Sequence, residues 1–387
     1  MRILFLTSRF PYPLEKGDKL RAFHQIKELS ASHEILLASV SDTRVRPEHL
    51  EALKPYCKKI VVYEISKIKT FGNLAKTLFS SRPFQVGYFY SPSFQRRIQK
   101  LMKEEKPTHI FCQLVRMAEY VKDVQGVTKV LDYMDAFSTG YERLSARLSL
   151  LKRTMVRSEW KRLLKYEHVI FNAFDKQVII SEQDRKLIPH PERNNIFVSP
   201  NGVDISYYSQ QPMEQKYDLI FSGNMSYPPN VESALFLVNR VMPLLKSQGR
   251  QVRIVIAGDN PAPEILKLKN EHVEVTGWVD DMREYYSASR ISVAPMFISI
   301  GLQNKIIQAM AMNVPCIVSS MANNAIGAED GKNILIADSP EDYARQITML
   351  LEKPELAASI AREGRQFVQR NFDWREIMAD LSRYMQA

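Results

Sequence analysis

Thirteen short apolar runs, mostly separated by amphipathic stretches, constrain this chain more than any other feature. In the first half they are residues 3–6, 35–39, 60–63, 110–112, 130–132, 177–180 and 196–198. In the second half they are 219–222, 253–257, 273–275, 291–294, 316–318 and 334–336. A strand with one face in water alternates apolar and polar residues, whereas a strand covered on both faces reads as an unbroken apolar run. Helical patterns such as 19–29 and 231–245 supply the covering layers. The chain is therefore expected to be α/β, with parallel sheets between helices. Its 387 residues exceed what one core usually holds, so two Rossmann-like domains are expected. The least patterned segment, 205–216, reads as a linker between domains at 1–204 and 217–371. Residues 340–387 are almost wholly helical in pattern, with a break at 371–373. Asp373, with Glu376 three residues later, is expected to cap a last helix within 372–387.

Composition narrows the class. Apolar residues make up 45% of the chain and charged residues 25%, as in a globular protein. No run of about 18 apolar residues is present, so no membrane-spanning helix is expected. The few apolar residues ahead of Arg9 are too short for a signal-peptide core and read better as a first strand. Cys57, Cys112 and Cys316 share no metal-ligand spacing and read as packed thiols in a reducing compartment, which points to the cytoplasm. The formal charge of +10 implies an anionic partner: phosphorylated small molecules, acidic lipid or nucleic acid.

Parallel sheets bind ligands beyond the carboxyl ends of their strands, so the residues just after each run matter most. The stretch 291–320, ISVAPMFISIGLQNKIIQAMAMNVPCIVSS, combines an apolar run, Gly301, a helix with Lys305 in its first turn, and another apolar run. A strand–loop–helix of this kind aims backbone N–H groups and a positive dipole end at one point, which suits a phosphate. Glycines also follow other runs of this half, at Gly223-Asn224, Gly258-Asp259 and Gly277-Trp278-Val279. Four such loops along one sheet edge point to a nucleotide cleft. Asp280-Asp281, at a helix start, reads as a cap rather than a metal pair.

In the first half, the run 3–6 leads through Arg9 and a proline-rich loop to Gly17-Asp18-Lys19. Asp18 is expected to cap the following helix, and Gly17 to let the backbone approach a ligand. Asp132 and Asp135 end the run 130–132 and are candidates for positioning sugar or acceptor hydroxyls, with a helix cap as the alternative for one of them. No GxGxxG, P-loop or GxSxG signature is present, so dinucleotide, kinase and hydrolase readings lack their marks.

Residues 143–165 form the main basic block, with eight lysines or arginines against one acidic residue, Glu159. Arg153, Arg157, Lys161 and Lys165 fall four residues apart on one helical face, and Leu144, Leu148, Leu151 and Met155 line another. A basic amphipathic helix suits an anionic membrane surface, and a solvated domain-surface helix is the alternative. Nucleic acid is disfavoured, because no aromatic stacking platform accompanies the charge.

Together these segments resemble the GT-B glycosyltransferases, in particular the large retaining class called glycosyl transferases group 1. The resemblance runs over essentially the whole chain. It is carried by residues 9–18, by Ser199-Pro200-Asn201-Gly202-Val203-Asp204, by Gly223, Ala257-Gly258-Asp259 and Gly277-Trp278-Val279, and above all by residues 301–315. The segments RFPYPLEKGDKLRAFH and GLQNKIIQAMAM look closest to sugar transferases of exopolysaccharide clusters. The resemblance implies two Rossmann-like domains facing an interdomain cleft, with a C-terminal helix crossing back to the N-terminal domain. It implies a nucleotide-diphosphate sugar, UDP- or GDP-linked, on the second domain, and a glycan or lipid-linked acceptor on the first. No cofactor or metal is implied, since amides, a helix dipole and basic side chains neutralise the leaving diphosphate.

The donor residues implied are Gly17, Gly223, Asn224, Asp259, Val279, Gly301, Leu302, Asn304, Lys305 and Gln308, with Lys305 and Asp135 as catalytic candidates. Asp18, Lys19, Asp132, Arg153, Arg157 and Lys161 are the acceptor or membrane candidates. The inner face of the cell membrane is the implied location of that contact. Two positions depart from the family pattern: where group 1 enzymes usually place glutamates, before the glycine loop and in the following helix, this chain has Ile300 and Gln308. No Arg or Lys follows Gly223 within 224–230. A non-catalytic scaffold and a nucleotide-sugar epimerase are therefore carried as alternatives to hexosyl transfer.

Overall fold

The computed structural model describes residues 1–14, 16–65, 70, 72–74, 77, 80–146, 150–297 and 302–387. Ile300, Gly301 and Leu148 lie outside the described residues. The chain divides into two compact units: Met1–Pro200 with Met378–Ala387, and Asn201–Ile377. Residues 205–216 belong to the second unit.

Each of the thirteen apolar runs falls on a strand. The first unit holds β1 (Arg2–Thr7), β2 (Glu34–Ser41), β3 (Lys59–Glu64), β4 (His109–Gln113), β5 (Thr128–Asp132), β6 (Lys176–Ile179) and β7 (Phe197–Val198). Their order in the sheet is β3-β2-β1-β4-β5-β6-β7, and every pairing is parallel. The second unit holds β8 (Tyr217–Ser222), β9 (Ile254–Ala257), β10 (Val273–Gly277), β11 (Ser289–Ala294), β12 (Cys316–Val318) and β13 (Leu335–Ile336). Their order is β10-β9-β8-β11-β12-β13, again all parallel. In β1 every residue after Ile3 is buried along with it, although successive side chains point to opposite faces. That pattern requires cover on both sides and explains the unbroken apolar runs.

Both orders reverse direction beside the first strand of the unit, where β1 sits next to β4 and β8 next to β11. Adjacent connections leave that point on opposite faces and open a crevice at the carboxyl ends. The candidate residues after β1 and β5, and after β8, β9, β10 and β11, are therefore set at these two edges.

Packing fixes both the Ser199–Asp204 segment and the last helix. Gly202 of the Ser199–Asp204 motif has no room for a side chain: a Cβ would lie 2.8 Å from Phe372 O and 2.8 Å from the Trp374 ring. The adjacent Val203 N–H donates to Phe372 O at 2.7 Å. The last helix, Trp374–Gln386, is capped as expected, with Asp373 Oδ1 accepting from Arg375 N at 2.9 Å. Its residues from Met378 onward cluster with the first unit. There Lys176 Nζ donates to Tyr384 O at 2.5 Å, Tyr384 stacks on Phe197 with centroids 4.6 Å apart, and Ser382 Oγ hydrogen-bonds His33 Nε2 at 2.7 Å.

Candidate functional site

At the carboxyl edge of the second sheet, β8 ends at Ser222 and the chain turns through Gly223 with φ of 147°. A Cβ at Gly223 would lie 2.8 Å from Asn230 Nδ2 and 3.2 Å from Lys305 Nζ. Only a bare backbone with a left-handed φ fits here. Gly258, after β9, has φ of 144°, and a Cβ there would fall 1.8 Å from Gly223 O. Its N–H donates to Gly277 O at 3.2 Å, and Met225 N–H donates to Asp259 O at 2.8 Å. The segments at the ends of β8, β9 and β10 are thus joined backbone to backbone.

The helix Asn304–Ala311 brings Lys305 over this junction. Its ammonium donates to Asn230 Oδ1 at 2.5 Å and lies 3.5 Å from Met296 Sδ and 4.7 Å from the Phe221 ring centroid. Asn230 in turn donates to Asn224 O at 2.8 Å. The lysine backbone is fixed too: buried Tyr286 donates to Lys305 O at 3.1 Å and hydrogen-bonds Ser222 Oγ at 2.7 Å. Among the described residues no carboxylate reaches Lys305. Its partners are an amide oxygen, a thioether and a ring face, none of which carries a full negative charge. Burial accordingly pushes the half-buried lysine down to about 7. A cation held this way gains most from an incoming anion.

The neighbouring candidates occupy the same edge. Asn304 Oδ1 is buried without a hydrogen-bond partner. Gln303, at the N-cap, makes no side-chain cap bond, which leaves the dipole end uncapped by a side chain. Gln308 lies one turn after Lys305, half-buried, and its side-chain amide makes no hydrogen bond among the described residues. Leu302 packs against the core at the helix entry, and Val279 is half-buried two residues past Gly277. Asn224 is exposed and accepts from Ser226 N and Ser226 Oγ at 2.9 and 2.7 Å. Asp281 caps the helix Met282–Ser287 through Arg283 N at 2.9 Å, the role expected of it. Sequence reasoning missed Asn230, Met296 and Tyr286, which reach Lys305 from distant segments and have no local signature.

The first sheet corrects three expectations. Helix Gly17–Leu29 starts one residue early for Asp18 to be its cap; the N-cap is Lys16, with no side-chain bond. Asp18 instead binds Arg9 Nη1 through Oδ2 at 2.6 Å and Lys19 N through Oδ1 at 3.1 Å. Asp132 is fully buried and saturated: Arg21 Nε and Gln25 Nε2 donate to Oδ2 at 2.8 and 2.9 Å, and Met134 N donates to Oδ1 at 2.9 Å. It ties the first helix to the end of β5 and presents no oxygen to a ligand. Met155 is 72% exposed, so it does not belong to the packed face of its helix.

Other candidates in this unit fit a binding edge. Space opens over Gly17, where a Cβ would meet nothing within 4 Å, and Lys19 is half-buried beside it. Asp135 is open to solvent, yet dense surroundings and the nearby Asp184 carboxylate push its carboxyl up to about 6. Lys305 and Asp135, the two catalytic candidates, belong to different compact units. Arg153, Arg157 and Lys161 are exposed on helix Leu150–Phe171.

Residues 216–353 match the family model described as Glycosyl transferases group 1. That stretch, which lies within the second unit, is similar to the group 1 glycosyltransferases. Over 398 aligned residues the chain is 20% identical to an uncharacterised 44.6 kDa protein in the cps region of Klebsiella pneumoniae, covering 98% of each. Among solved structures it is similar to HepE of Anabaena in complex with UDP, at 14% identity, TM-score 0.70 and full coverage of both chains. It is also similar to sucrose-phosphate synthase from Thermosynechococcus elongatus, at 16% identity and TM-score 0.70, covering 100% of this chain and 98% of that one. The fold is GT-B, and the family supports glycosyl transfer as the activity. The edge built by Gly223, Gly258, Asn230 and Lys305 lies within the part of the chain that the family model matches.

Proposed function

We propose that this glycosyltransferase moves a hexose from a nucleotide-diphosphate sugar to a glycan or lipid-linked acceptor in cell-surface polysaccharide synthesis. The observation that carries the reading is the Lys305 ammonium, set against Gly223 with no anionic partner among the described residues. The diphosphate of the donor supplies the missing charge, and the departing nucleoside diphosphate gains more of it as the glycosidic bond breaks, so the lysine favours the transition state. The role open to Gln308 is the ribose, since its amide offers both a donor and an acceptor. UDP is the base we favour, a choice supported by the UDP complex of HepE. The relative in the cps region supports the polysaccharide setting. Retention of configuration and independence of metal follow from the family resemblance and are part of the proposal.

Mass-tagged UDP and GDP sugars, offered with glycan and lipid-linked acceptors in the presence of EDTA, test it. Transfer that disappears in Lys305→Ala is expected. Neither transfer nor donor hydrolysis with any acceptor would sink the enzymatic reading. Tight UDP binding without turnover would then favour the scaffold, which the missing carboxylate at Gln308 already recommends as the second reading. Conversion of the donor sugar with no acceptor present would mean an epimerase.

A further inference from the structure

Arg116 is the least explained charge in the first unit. It lies in the short turn Val115–Tyr120 after β4, at the carboxyl edge between β1 and β5. The residue is 7% exposed, and both Nε and Nη1 are buried without a hydrogen-bond partner. No ion pair to it exists among the described residues. What surrounds it is aromatic: its guanidinium carbon lies 5.2 Å from the Phe89 ring centroid and 4.8 Å from that of Phe137. Ring faces attract the cation, but they do not satisfy in-plane N–H donors. A buried charge left in this state is costly unless a partner completes it.

Among the described residues, neither carboxylate near it in the unit pairs with it. Asp18 is bound by Arg9, which itself keeps a buried, unpartnered Nε. Asp135 lies near without forming a pair. Burial and the neighbouring Arg9 both push the Arg116 guanidinium down, against the weaker pull of Asp18, Tyr141 and Asp135. Two arginines therefore bring buried donors to one sheet edge, where a second cation makes each less comfortable alone.

We propose that Arg116, assisted by Arg9, binds an oxyanion carried by the acceptor, either a phosphoryl group or the carboxylate of an acidic sugar. The planar fork of a guanidinium matches either group with paired N–H donors, and Phe89 and Phe137 hold that plane in place. The assignment rests on the reading that the first unit takes the acceptor.

Isothermal titration of the full chain, saturated with UDP to occupy the donor edge, would use inorganic pyrophosphate in one arm and glucuronate in the other. At least one anion should bind, and the arm that binds tells a phosphoryl from a carboxylate acceptor. Arg116→Gln should weaken that binding at least tenfold while UDP affinity stays unchanged; Arg9→Gln, at a partly exposed position, should weaken it less and guards against a misfolded first variant. Binding of neither anion to the UDP-saturated wild type, or equal binding by wild type and both variants, would overturn the assignment. Loss of UDP binding with oxyanion binding intact would count against the donor reading alone.

Discussion

At the residue scale the site turns on one lysine that has no counter-charge among the described residues. Because its folded value is near 7, much of Lys305 is neutral above that pH, and an arriving diphosphate must draw a proton onto it. UDP affinity should therefore be greatest below pH 7 and fall as pH rises through 7, with proton uptake on binding near pH 8. Calorimetry in buffers of different ionisation enthalpy measures that uptake; affinity flat from pH 6 to 9 would place the diphosphate elsewhere. Gln308 gives a second test. Gln308→Glu restores a charged acceptor and should tighten UDP binding by about 1 kcal/mol, roughly fivefold, if it faces the ribose. A variant that only loses stability would put residue 308 outside the site. Gly223 and Gly258 were legible in the sequence because each directly follows a strand, and Lys305 because it lies in the first turn of the helix after β11. Asn230 and Arg116 were not, because what matters about them is the distant residue they meet or fail to meet.

At the element scale, helix Leu150–Phe171 shows how a correct helix can be phased wrongly. Its packed stripe runs through Glu159, Leu163, Glu167, Ile170 and Phe171, and two of these are acids that a hydrophobic pattern ignores. Glu159 is buried because it caps another element, accepting from Phe84 N and Gln85 N at 2.8 and 2.9 Å. Glu167 accepts from Ser138 N at 3.0 Å but leaves Oε2 unpartnered, and burial pushes its carboxyl up to about 7. The unfolded chain loses this proton near the ordinary glutamate range. Between that range and pH 7 the folded state binds more protons, so this residue's contribution to stability falls as pH rises to 7 and stays low above it. Glu167→Gln should raise the melting temperature at pH 8 and match wild type near pH 4; an equal shift at both would deny the ionisation. The other side of the helix is exposed, with Arg153, Arg157 and Lys161 beside Met155. Docking of this face on anionic lipid is part of what we propose. Changing the three basic residues to Glu should abolish flotation with acidic liposomes at low salt, and wild-type protein that fails to float would remove the membrane contact.

At the scale of the whole molecule, the central strands could be read in advance because they are buried on both faces and the chain spells them as apolar runs, and the partly buried edge strands β3 and β10 kept enough apolar residues to be read with them. The end of the chain was harder to read. Its helical period was plain, but its membership of the first unit depends on Tyr384 and Ser382 meeting Phe197, Lys176 and His33, which are far away in sequence. Two separately cored units, with the proposed donor edge in the second, make a ligand's effect on exchange spatially specific. A ligand that binds only the folded state adds roughly 2.7 kcal/mol of stability at about 100 times its dissociation constant, and this is what UDP should do if the donor reading holds. Local openings near the bound nucleotide are opposed directly, whereas those remote from it are affected only through global unfolding. Hydrogen exchange of the full chain should therefore slow first in the loops after β8 and β9 and in the first turn of Asn304–Ala311. The loop after β5, with Asp135, should change less. Protection centred on the first sheet instead would mean that the donor is held by the other unit, and the roles assigned to Lys305 and Arg116 would have to be exchanged.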